Sequence, residues 1–113
     1  MLADKQSCED REVYLIRRTK FIRVTKHCPV HEAMRLAYLS SELVERLLRG
    51  EVRFTFRNQR GVECTVNGTL ASYVRLFGQS YPDNPENQFI VFYDTLHRVW
   101  RAFHVTELMR VDS

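Results

Sequence analysis

The chain has 113 residues, of which 44% are hydrophobic and 27% charged, with four glycines and three prolines; this is the balance of one folded domain and excludes a disordered tail or a fibre. Its longest wholly apolar run, "FIVFY" at residues 89–93, falls far short of the roughly 20 residues a membrane-spanning helix needs. The net charge of +3 is unevenly placed, at −2 over residues 1–10, +5 over 11–26 and 0 over 27–113, and such a cationic cluster favours polyanionic partners without specifying a fold.

In chain order, residues 1–11 lack the apolar block of a secretory signal, so a flexible N-terminus and a cytoplasmic location are expected. Residues 12–26, "EVYLIRRTKFIRVTK", are rich in β-branched and aromatic residues, and their apolar phase breaks at "RRTK". They predict a basic β segment, either one bent strand or two short ones. At "HCPVHEAM" the pattern changes to a helix over 30–49: Pro29 suits its first turn, Glu32 lies near the positive end of its dipole and Gly50 stops it. Leu36, Ala37, Ser40, Leu43, Val44, Leu47 and Leu48 share one stripe, and Glu42–Arg46 and Glu45–Arg49 have the favourable i,i+4 order. The Ser40–Ser41 pair is a point at which the helix could split in two.

From residue 51 the period becomes two. Val52, Phe54 and Phe56 alternate with Arg53, Thr55 and Arg57, and after the turn "NQRG" the phase resumes with Val62, Cys64, Val66, Gly68 and Leu70. Residues 71–87 form a long connection rich in turn residues, followed by the strand "QFIVFYD", the turn "TLHR" and the strand "VWRAFHV". The inward phases predict a core of Phe54, Phe56, Val66, Val91, Phe103 and Val105. The fold class is mainly β with one helix (α+β): a single domain in which a helix precedes a small antiparallel barrel over residues 51–108.

The chemistry-bearing side chains are sparse. "HCPVH" offers His27, Cys28 and His31, with Cys8 or Cys64 as further thiols, but a closed zinc site needs two well-spaced pairs; the cluster reads as the start of a helix, and no metal is expected. Three scattered cysteines do not make a disulfide framework and point to reduced thiols. Asp94, His97 and His104 lie close in sequence without a Ser or Cys placed beside them, and no glycine-rich phosphate loop is present. The expectation is a protein that is not an enzyme and has no cofactor.

The arginines say more. Arg17, Arg18, Lys20, Arg23 and Lys26 in the basic segment are expected to contact phosphates, with Arg53, Arg57 and Arg101 extending the track and Arg60 and Arg98 beside it. Tyr73, Phe77 and Tyr81 recur at intervals of four and either stack on bases or fold over the open end of the barrel. Trp100 has the same two readings. The expected partner is nucleic acid, single-stranded forms included, or else an acidic protein bound by an interaction module. An exposed strand edge would also allow a homo-oligomer.

The run "LLRGEVRFTFRNQRGVECTVNGTL", the later "FIVFYD" and the closing "VWRAFHVTEL" resemble the WYL-like, or Sm-like SH3-type, small β-barrels of phages and bacterial mobile elements, over residues 43–108. The resemblance implies a leading helix, a bent five-stranded barrel and a regulatory or binding role. The sequence departs from the pattern where the Trp-Tyr-Leu triplet would fall, at Gln88, Phe89 and Ile90, and at the last strand, where Arg101-Ala102-Phe103-His104 replaces a run ending in Arg.

Overall fold

A computed structural model describes residues 2–112, with side chains described from residue 10 onward. Its elements are α1 (Leu2–Lys26), α2 (Val30–Arg49), β1 (Val52–Arg57), β2 (Glu63–Thr69), α3 (Tyr73–Phe77), β3 (Phe89–Asp94), β4 (Val99–His104), a 3₁₀ turn (Val105–Glu107) and β5 (Leu108–Val111). No helix of the described residues is long and apolar enough to cross a membrane.

The largest departure from expectation is α1. The segment read as a basic β strand over 12–26 is helical, and so are residues 2–11, expected to be flexible. Its buried positions are Leu15, Arg18 and Ile22, a stripe at spacings of three and four that fits a helix. One member of that stripe is an arginine, so the apolar period is interrupted where it would have been diagnostic. Arg18 is 1% exposed. Its Nε donates to Ser40 Oγ on α2 at 2.8 Å, and Nη1 donates to Tyr14 Oη at 3.4 Å.

Helix α2 has the predicted bounds, with Pro29 at its N-cap and the Gly50 N–H donating to the Arg46 carbonyl. It is not split at the serines. Ser40 Oγ donates to the Leu36 carbonyl at 2.6 Å while accepting from Arg18, so its hydroxyl is satisfied inside the helix. The Glu45 carboxylate pairs with Arg11 across the helical hairpin, not with Arg49. The chain passes from α1 to α2 through His27 in the left-handed region (φ 56).

The five strands form one antiparallel sheet in the order β4-β3-β2-β1-β5. Hydrogen bonding leaves β4 and β5 as its edges, so the sheet is open and not closed into the expected barrel. Its inner face carries Phe54, Phe56, Phe92 and Phe103, whose ring centroids lie 4.8–6.1 Å apart. The core continues through Val66, Val105 and Leu108 to Leu36, Leu43 and Leu47 of α2 and Ile22 of α1. Five of the six residues predicted for the core lie in it. Val91 does not: it is 39% exposed, and β3 points Ile90, Phe92 and Asp94 inward. "FIVFY" is apolar at every position, so alternation cannot set its phase.

Candidate functional site

The turn joining β1 and β2 is built around Asn58. Its Oδ1 accepts from the Arg60 and Val62 N–H groups at 2.9 and 3.0 Å, and Gly61 takes a positive φ of 79° to close the loop. This ordered loop carries Arg57 and Arg60 to one wall of an open cleft of about 810 Å³. Edge strand β4 and the 3₁₀ turn line it as well, contributing Arg101, Phe103, His104 and Thr106 together with one carboxylate, Glu107.

Arg101 is held before any ligand arrives. Its guanidinium lies over the Phe56 ring, 5.5 Å from the centroid, and Nη1 donates to Asp94 Oδ2 at 3.1 Å. Asp94 is buried at the head of the β3–β4 hairpin, where Oδ1 also accepts from the Leu96 and His97 N–H groups and Oδ2 meets His97 Nδ1 at 2.9 Å. Burial alone would push this carboxyl up; the hydrogen bonds from His97 and Arg101 outweigh it and bring the pKa down to about 2. At the other end of β4, His104 Nδ1 accepts from the Thr106 N–H at 3.2 Å, which puts the ring proton on Nε2. Asp94 and His97 therefore organise a turn, and His104 lies at the far end of the strand from them. Among the described residues no three His, Cys, Asp or Glu side chains gather as a metal-binding group, and Cys8 lies outside the described side chains.

The cleft brings together Arg57 and Arg101 from the predicted track, along with Arg60. Arg53 sits four residues, or about 13 Å, further along β1, and pairs with Asp112 at 3.5 Å. Arg98 stands in the left-handed region (φ 56) at the β3–β4 turn. The helical cations do not form one face. Arg18 is buried and out of reach of a phosphate; Arg17 pairs with Glu86; Lys26 pairs with Glu32 at 3.6 Å and reaches the Thr106 carbonyl at the cleft rim. Hydrogen bonding to Arg35 holds the Glu32 carboxyl below its usual range. Lys20 and Arg23 border a separate groove between the helices, with Ile16, Met34 and Tyr38.

The aromatic residues do come together. Tyr73, Phe77 and Tyr81 pack on the outer face of β3–β4 around Trp100, with ring centroids 4.7–6.4 Å apart. Tyr73, Tyr81 and Trp100 are half-buried against the core, while Phe77 is exposed. The residue that sequence reasoning passed over is Phe89, which borders both the aromatic pocket and the arginine cleft. Its signal was present in "FIVFY": a strand apolar at every position needs cover on both faces, so its outer face had to meet something.

A family profile described as WYL_2, Sm-like SH3 beta-barrel fold, matches residues 40–109. The chain belongs to the WYL_2 family. Neither a curated protein nor a solved structure matches it. The WYL_2 region takes in the second half of α2, strands β1 to β4 and the start of β5; the aromatic pocket lies within it, and the arginine cleft does except for Thr25 of α1.

Proposed function

We propose that this WYL_2 protein is a non-enzymatic accessory or regulatory module that binds single-stranded nucleic acid in the cleft between the β1–β2 turn and β4. The observation that carries the reading is the convergence of Arg57, Arg60 and Arg101 on one cleft from two distant segments, with Lys26 at the rim. Guanidinium groups on ordered elements suit phosphate oxygens, to which each offers a fixed fork of donors. A single strand is favoured over a duplex because exposed aromatic rings adjoin the cations, and unpaired bases present faces to stack on them. Small Sm-like barrels are typically binding modules, which supports a non-catalytic role; a phage or mobile-element setting follows the family resemblance and belongs to the same proposal.

The test is a salt titration of binding to a single-stranded oligonucleotide. Affinity of the wild-type protein should fall steeply with salt, and Arg57→Ala with Arg60→Ala should flatten the log–log plot by about 0.7 for each phosphate that is no longer neutralised. Both side chains are exposed, so circular dichroism should not change. Lys20→Ala with Arg23→Ala, which removes equal charge from the helical groove, should have the smaller effect. Absence of binding to any single strand at low salt would overturn the reading and leave an acidic protein segment as the partner whose charge matches the cleft.

A further inference from the structure

The aromatic pocket beside the cleft has a volume of about 390 Å³. Its walls are Tyr73, Phe77, Tyr81, Phe89 and Trp100, with Asn87 as the polar member, and no lining side chain carries a charge. Asn87 Nδ2 donates to the Pro82 carbonyl at 2.8 Å, which leaves the amide oxygen as an acceptor. The wall is braced from behind by α1: Tyr14 Oη donates to Asp83 at 2.5 Å, and Arg17 pairs with Glu86. Burial, then the hydrogen bond to Asp83, pushes the Tyr14 phenol well above its ordinary range, so it stays protonated as the donor.

An uncharged aromatic pocket that shares Phe89 with a cationic cleft suits a ligand with a flat apolar part joined to an anionic part. We propose that the pocket takes one unstacked base of a single strand whose neighbouring phosphates lie against Arg57, Arg60 and Arg101. The base packs on the rings of Phe77, Phe89 and Trp100, and an exocyclic amine, where the base has one, reaches the Asn87 oxygen. Arg17 and Tyr14 then act as positioning residues: the basic helix holds the loop that forms the pocket instead of touching the strand. This inference rests on the single-strand reading of the cleft.

Trp100 is the only tryptophan of the chain, so its fluorescence reports on the pocket directly. The probes are an oligothymidylate and a strand of equal length made of abasic sites, which carries the same phosphates without bases. Oligothymidylate should quench or shift Trp100 emission, and the abasic strand should bind more weakly and leave the emission unchanged. Phe77→Ala should lower affinity for oligothymidylate roughly tenfold, towards that of the abasic strand, with the salt slope retained. Equal binding of both strands with unaltered Trp100 emission would overturn the base pocket while leaving the arginine cleft in place. Binding of neither strand would overturn both. Quenching by a proline-rich peptide but by neither strand would assign the pocket to a protein partner and overturn the proposal. The wild-type comparison decides even if Phe77→Ala fails to fold.

Discussion

Arg18 shows how much one residue can hide. A buried guanidinium is costly unless it is hydrogen-bonded, and here Nε is met by Ser40 Oγ and Nη1 by Tyr14 Oη, the latter itself donating to Asp83. The resulting chain of hydrogen bonds ties α1 to α2 and to the loop before β3. Gly68 is the opposite case, a residue defined by the side chain it lacks. A Cβ built there would stand 2.6 Å from Phe92 Cδ2 and 3.1 Å from Phe54 Cε1, both in the packed phenylalanine cluster. Gly68→Ala is expected to destabilise the protein by about 1–3 kcal/mol as an overpacked core change. Urea denaturation measures the loss, and an unchanged midpoint would show that the rings move aside freely.

At the level of elements, the β3–β4 hairpin is held at its head by Asp94, which organises the turn and orients Arg101 in the cleft. The carboxyl's folded-state pKa of about 2 lies below its ordinary value of 3.8. Folding is therefore favoured by the charged form: the stabilisation is complete above the ordinary value and is lost as pH falls through the range between the two. The loss should be up to about 2 kcal/mol, and Asp94→Asn should flatten the stability profile in that acid range. Chemical denaturation at a series of pH values makes the comparison; identical profiles for the two proteins would show that Asp94 gains nothing on folding.

On the scale of the whole molecule, one buried cluster joins Ile22 of α1 and Leu36, Leu43 and Leu47 of α2 to the four sheet phenylalanines. The helical hairpin and the sheet share that core, so they should unfold together. Far-ultraviolet circular dichroism, dominated by α1 and α2, should give the same denaturation midpoint as Trp100 fluorescence, which reports from β4. Separate midpoints would mean that α1 docks as an independent unit on the WYL_2 region.

What the sequence determined by itself was every element whose pattern stayed unbroken. Helix α2, from the Pro29 start to the Gly50 stop, and the β1–β2 hairpin with its turn at 58–61 were legible because local apolar period and turn chemistry agreed, and the β3–β4 hairpin was legible from its two apolar runs and the turn at 95–98. What only the tertiary structure decided lies where that agreement fails. The run over 12–26 is β-rich in composition yet helical, because packing against α2 and the bonds from Arg18 to Ser40 and Tyr14 outweigh weak propensities. The phase of "FIVFY" came from which face met the phenylalanine core, since both faces are apolar. The candidate site was readable as a set of residue types but not as a place. Arg57 and Arg101 are far apart in the chain, and only the tertiary fold sets them in one cleft, while the packing of α1 against α2 buries Arg18 away from it.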